Sequence, residues 1–360
     1  MDTREELTEM KHMHRIAALL LAIMLVVVAG CSAGKPPKEA LSAAMTKIGK
    51  ADSYKMNMTF GLNELEIPED LASQEDAAVT AMVIGMFKDA QITIDGTYQK
   101  TPLRMDMNVE VVIPGDMEMK LSVPLKLTED ALYVKIPQIP MLMLPETITG
   151  KFIKFDLNEL TSQEGMPEID VEAQKKLSQE LSAAVLKHFD EKTYFSQPKP
   201  EDAGIPADLK VDQVVAVEIN DSNYAVAIDT IIDKALPEVI ELLLNNEEYL
   251  KLLSLEKADV ETFKSDFEAN KAEAKETFKK DVKINKLKMI SGIQDGYAVY
   301  QAGEVNVQAA DDELGGTMKI GLDLKMTLTD INKKLELEAL PTDVIPSAEL
   351  EQMFGSALGL

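Results

Sequence analysis

Apolar and polar residues alternate with a period of two over four stretches of the first half of the chain. From Tyr54 to Leu62 the apolar positions are Tyr54, Met56, Met58, Phe60 and Leu62, separated by Lys55, Asn57, Thr59 and Gly61. Ile92, Ile94 and Tyr98 alternate with Thr93, Asp95 and Thr97. Leu103 to Val111 repeats the pattern with Met105, Met107 and Val109 between Arg104, Asp106, Asn108 and Glu110, and Met117 to Leu127 with Met119, Leu121, Val123 and Leu125 between Glu118, Lys120, Ser122, Pro124 and Lys126. Successive side chains of a strand point to opposite faces. Each stretch is therefore predicted to be a strand with one wet and one dry face, as in an antiparallel sheet. Ile113-Pro114-Gly115-Asp116 fits a turn between two of them. Pro124 cannot donate to a ladder and marks an edge or a bulge. Shorter strands are expected at Leu132 to Ile136 and Phe152 to Phe155, joined through an apolar, proline-rich loop from Pro137 to Pro145.

Elsewhere the apolar spacing is helical. Glu39 to Lys50 carries Leu41, Ala44, Met45 and Ile48. Asp70 to Lys88 carries Leu71, Ala78, Met82 and Met86, and is expected to cross the dry face. In the second half, Glu172 to Phe189 reads as a helix. Asp221 is expected to cap another from Ser222 to Leu244, broken near Pro237. Lys257 to Lys280 is a charged helix with one apolar stripe, Val260, Phe263, Phe267, Ala274 and Phe278. Strands are expected at Val214 to Ile219, Val282 to Ile290, Tyr297 to Ala309, Met318 to Leu328 and Leu335 to Ala339. The fold class is α+β: one large antiparallel sheet with helices over its dry face. A single domain is expected over 39–345, followed by a C-terminal tail, 346–360. Its halves, 39–160 and 170–345, share the order helix, strand, helix, several strands, which suggests a loose duplication.

The first thirty residues read differently. Ile16 to Gly30 is an apolar run, preceded by Lys11 and Arg15. It is shorter than the ~20 residues that span a bilayer and suits the core of a signal peptide. It ends in Val28-Ala29-Gly30-Cys31, and Cys31 is the only cysteine in the chain. Small residues followed directly by cysteine resemble the bacterial lipobox. That resemblance implies attachment of a diacylglyceryl group to the Cys31 thiol and cleavage between Gly30 and Cys31, so that two or three fatty chains such as palmitate anchor the protein. Two chains anchor stably, at ~0.8 kcal/mol per buried methylene. Residues 31–38 would then be a short tether on the extracytoplasmic face of the cell membrane, or at an outer membrane if the cell has one.

Charge narrows the partners. The chain of 360 residues carries a net charge of -25. Nucleic acid is not an expected partner, because phosphates need Lys and Arg. The same acidity argues against lying flat on anionic lipid. With one cysteine there is no disulfide, so burial alone must hold the core.

The lipobox, the short tether, the first helix and a sheet with helices across one face come together with a distinctive close, Leu324 to Pro341 (LKMTLTDINKKLELEALP). It reads as a strand, a Thr-Asp-Ile-Asn turn, a short strand and a proline. In order of elements from Lys38 to Thr342 the chain resembles lipoproteins of the LolA, LppX and LprG type. The resemblance implies a curved sheet, open as a half-barrel, whose concave face is covered by helices and holds acyl chains.

Sixteen of the twenty methionines follow Cys31, after subtraction of Met1, Met10, Met13 and Met24. Met56/Met58, Met105/Met107 and Met117/Met119 are pairs on dry faces. Three readings compete: ordinary core filling, a deformable apolar pocket, and soft-metal binding through thioethers, which select Cu(I). The candidate ligand-lining residues are Met56, Met58, Phe60, Met105, Met107, Met117, Met119 and Leu121. No cofactor or metal site is expected. His188 is the only histidine after the leader, which leaves too few ligands for a zinc site and no Cys-His pair. There is no G-x-S-x-G, G-x-G-x-x-G or P-loop sequence. The expectation is a membrane-anchored, non-enzymatic carrier or sensor for an apolar ligand such as a lipid acyl chain. The alternatives are an interaction lipoprotein with a filled core, its protein partner unknown, and a Cu(I)-binding protein.

Overall fold

The computed structural model describes residues 34–66, 90–113, 119–138, 145, 147–157, 159, 170–311 and 316–349. Pro37–Leu360 forms one compact unit, and the five described cores draw every residue from within it. Cys31, Gly30, Met117, the Ile113 to Asp116 turn beyond Ile113, the Asp70 to Lys88 helix and most of the Pro137 to Pro145 loop fall outside the described residues.

The fold is α+β, built on one open, curved sheet of twelve strands in the order β12-β6-β5-β4-β3-β2-β1-β11-β10-β9-β8-β7. The strands are β1 (Ser53–Glu66), β2 (Gln91–Gln99), β3 (Arg104–Ile113), β4 (Met119–Thr128), β5 (Ala131–Lys135), β6 (Phe152–Asp156), β7 (Phe195–Ser196), β8 (Gln213–Ile219), β9 (Val282–Gln294), β10 (Tyr297–Asp311), β11 (Gly316–Thr329) and β12 (Val344–Pro346). All neighbours are antiparallel except β12, which pairs parallel to β6. Pro124 sits opposite Asn108 of β3, just beyond the three residues by which β4 pairs with β5. Its missing donor thus falls where β4 has lost its second neighbour.

Among the described residues, helices lie against one end of the sheet. α1 (Pro37–Gly49) packs on β8 and β10, with Ala40, Leu41 and Ala44 buried. Pro37 opens it, where its fixed φ and missing N–H cost nothing. The Lys38 ammonium donates to the carbonyls of Lys187 (2.7 Å) and Phe189 (2.8 Å), just past the end of α2 (Val171–Leu186). α3 (Glu191–Tyr194) leads into β7. α4 (Tyr224–Thr230) runs through a π-turn at Ile231–Ala235 into α5 (Leu236–Leu244), and Pro237 stands at the start of α5. α6 (Glu247–Leu252) and the long α7 (Lys257–Asp281) complete the layer.

Three sequence expectations fail here. Asp221 does not cap α4; Asn223 occupies that position, and its side chain accepts from the Asn220 N–H at 2.9 Å while bonding the Glu218 carbonyl. The α7 stripe is only partly buried. Val260 packs inside, whereas Phe263 and Phe278 are exposed, because α7 is held mainly by charge. Its Lys264, Lys271, Lys275 and Lys279 pair with Glu241, Asp233 and Asp229 on α5, the π-turn and α4. Finally, Leu335 to Ala339 is not a strand and makes no closing hairpin. β11 lies in the middle of the sheet and β12 at its edge, so the chain between them must cross β1 to β6.

That crossing segment straps the outer face. Asn332 bonds the start of β1, its N–H to the Ser53 carbonyl at 2.8 Å and its side-chain oxygen to the Asp52 N–H at 2.7 Å. Further on, Glu338 meets β3 and β4. The Arg104 guanidinium donates to the Glu338 carbonyl at 3.0 Å and to Asp106, and the Lys126 ammonium donates to Glu338 at 2.8 Å and to Asp106 at 3.2 Å. Arg104 and Lys126, expected on the wet face, are therefore buried.

Candidate apolar binding face

The register assigns every inner-face side chain to a row running across the strands. One row is Val123, Val109, Ile94, Met58, Met326, Gln301, Ser291 and Val215, on β4, β3, β2, β1, β11, β10, β9 and β8. The next is Leu121, Val111, Ile92, Phe60, Leu324, Gly303, Met289 and Val217. On the other side of the first lie Leu125, Met107, Gly96, Met56 and Leu328, and beyond them Leu127, Met105, Tyr98 and Tyr54.

Burial changes along these rows. At β8, Val215, Val217 and Ile219 are buried against α1, α4 and Phe189, Tyr194 and Phe195 in the largest core. At β1 to β4 the same rows are half-exposed: Met56, Met58, Phe60, Ile92, Ile94, Met105, Met107, Val109, Met119, Leu121 and Val123 all keep contact with solvent. Leu324, in the middle of the sheet, is exposed at 37 %. The structure thus places seven of the eight sequence-predicted lining residues, all but Met117, on one face of adjacent strands.

The methionines crowd a glycine. A Cβ added at Gly96 would lie 2.8 Å from the Met56 Cε and 3.2 Å from the Met107 Cγ. The two thioethers therefore fold into space that any side chain at Gly96 would take. Unbranched and polarizable, they fill such gaps and leave them readily.

The face is closed at one end by a polar cluster that the sequence did not single out. Tyr98 is fully buried there and its hydroxyl donates to Glu172 of α2 at 2.9 Å. Burial, with the Glu172 carboxylate adding to it, pushes the Tyr98 hydroxyl far above its usual range. Tyr54 lies beside it, ring centroids 4.9 Å apart. Only the fold brings α2 to this row, seventy-odd residues away in sequence.

A second concavity lies on the outer face, between the strap and β1 to β4. It holds about 660 Å³ and is lined chiefly by polar groups, among them Lys55, Asn57, Asp95, Thr97, Asn108 and Glu336. The Thr97 hydroxyl is buried without a hydrogen-bond partner. His188, just past the end of α2, is bound to Glu238 of α5 at 2.7 Å and ties the two helices.

No group of three or more His, Cys, Asp or Glu side chains suited to a metal ion occurs among the described residues. Among them, too, no helix is long and apolar enough to cross a membrane. No known protein family matches the chain, and no curated protein sequence is significantly similar to it.

Proposed function

We propose that the chain is a lipoprotein, anchored through Cys31 on the extracytoplasmic side of a membrane, whose inner sheet face over β1 to β4 and β11 binds an apolar ligand such as a lipid acyl chain, as a carrier or sensor. The observation that carries this reading is the burial gradient along the rows. The alternation is the same throughout, yet the described helices lie over the β8 to β10 end, where the rows become fully buried at β8, and from β1 to β4 the rows stay half-exposed. Leaving so many large apolar side chains in one continuous band half-wet forgoes about 25 cal/mol per Å² of apolar surface. Contiguous bands of this kind mark ligand or partner sites.

The test uses the unit from Gly34 onward, stripped of lipid and titrated with a fluorescent fatty acid, alongside mass spectrometry of lipid carried through purification. Saturable binding that is abolished by Met58→Glu supports the reading. Absence of any bound lipid, with no uptake of the probe, rejects it. Anchoring is tested separately: Cys31→Ala should release the protein from membranes and end metabolic labelling with palmitate.

A second reading, a lipoprotein that docks a partner, has its own support. Val226, Leu253, Leu255, Phe263 and Phe278 are large apolar residues exposed on the helical layer. It predicts that substitutions there abolish partner capture and leave the probe titration unchanged.

A further inference from the structure

In the polar cluster at the end of the inner face two ammonium groups bond a single carboxylate, with the Asp52 carboxylate near enough to act on the Tyr98 hydroxyl. Glu172 at the start of α2 receives the Tyr98 hydroxyl at 2.9 Å, the Lys100 ammonium at 2.9 Å and the Lys175 ammonium at 3.4 Å. Two ammonium groups share one carboxylate, in a chain whose net charge is -25. Lys175 is the more enclosed of the two, its side chain 20 % exposed against 40 % for Lys100. Its Nζ sits 3.6 Å from the centroid of the Tyr98 ring. Burial lowers the Lys175 pKa, and the Glu172 carboxylate beside it does not make this good. Glu172 is itself desolvated, but hydrogen bonds from Lys100 and Tyr98 outweigh that and hold it ionised below the usual range. An ammonium has three donors. Here one meets Glu172 at a long distance and one faces a ring, which leaves capacity for a second anion.

The position of the cluster gives that capacity a use. Tyr98 is one row from Gly96, Met56 and Met107, and three rows from Ile92 and Phe60. At ~3.4 Å per residue this is about 20 Å of apolar face leading away from the two lysines. We propose that Lys175, with Lys100 beside it, is the head-group end of the ligand site, where the carboxylate or phosphate of an acyl-chain amphiphile docks while its tail lies along the methionine rows. This rests on the apolar-ligand reading above and narrows it to an anionic amphiphile. A cluster serving only to pin α2 to the sheet would make no distinction between ligand heads.

Calorimetric titration of the unit from Gly34 onward at pH 8 separates these ideas, with dodecanoate, dodecyl phosphate and 1-dodecanol as probes. At least one of the two anions should bind about tenfold more tightly than the alcohol, as a charge-assisted hydrogen bond requires; the tighter one names the head group. Lys175→Met should erase that advantage without changing affinity for dodecanol, Lys175→Arg should keep it, and Lys100→Met should reduce it. The wild-type ranking stands as a test even if Lys175→Met fails to fold. Equal binding of all three probes, or a parallel loss for acid and alcohol in Lys175→Met, overturns the head-group site and leaves the apolar face standing. If none of the three binds, both readings fall.

Discussion

The inner face of this sheet is finished in two ways. Over β8, Val215, Val217 and Ile219 are stiff, branched side chains locked beneath α1 and α4. Over β1 to β4, the equivalent positions are rich in unbranched methionine and remain half-exposed. Both ends obey the same period of two, so alternation alone does not tell which stretch of the dry face becomes buried. What separates them is the layer above, together with the residue types beneath it: stiff branched side chains where helices lock them, flexible thioethers where the face is half-exposed.

The comparison can be broken most decisively by charge. Val217→Lys should cost well over 4 kcal/mol, about enough to abolish folding, because the ammonium would be buried without a partner. Met58→Lys, two strands beyond the helical cover, should cost about 1 kcal/mol and give a folded protein that takes up no lipid. Urea unfolding of the pair checks this, and equal losses would erase the distinction. On the outer face, Asp106→Ala should cost about 3–5 kcal/mol, since it leaves the buried Arg104 with only the Glu338 carbonyl and Lys126 with Glu338 alone; the same unfolding experiment measures it. In the core beneath the helices, Ile228→Ala on α4 should cost about 2–4 kcal/mol, against less than about 1.5 for Met107→Leu on the sheet's inner face. The second substitution should instead change which chain lengths bind, and loss of Cu(I) binding in Met105→Leu with Met107→Leu would favour the metal reading.

The smallest effect expected is acid-dependent. Hydrogen bonds from Lys275 and Lys279 lower the Asp229 pKa, and Lys275 chiefly lowers that of Asp233, both below the ordinary 3.8. Carboxylates with depressed folded values stabilise fully above the ordinary value and lose that contribution as pH falls through the folded one. Protection of the α7 amides relative to the unfolded chain should therefore fall below about pH 4, ahead of that in β8 and β9. Both groups are substantially exposed, so the loss should stay local. Uniform exchange across α7 and β9 would show that these pairs do not hold the helix.

Much of this was legible from residue order. The period-two runs located β1 to β4, and helical spacing located α1 and α7, because these patterns follow from the geometry of a single segment. The strap was misread as a strand: Leu335, Leu337 and Ala339 alternate with Glu336 and Glu338, and nothing local tells that β11 is central and β12 distant. Arg104 and Lys126 looked solvated for the same reason. The methionine face was found because its signal is local composition on one strand face. The Lys100, Glu172 and Lys175 cluster was missed because its members are ordinary charges on separate segments.

By itself, the sequence determined most of the strand and helix segments, which side of the alternating strands is dry, and where the methionines gather. These depend on bond geometry and on the chemistry of neighbouring residues. Only the tertiary structure decided the order of the twelve strands, which stretch of the dry face helices cover, and which charges meet. Those outcomes rest on contacts between residues far apart in the chain, whose free energies compete across the whole molecule.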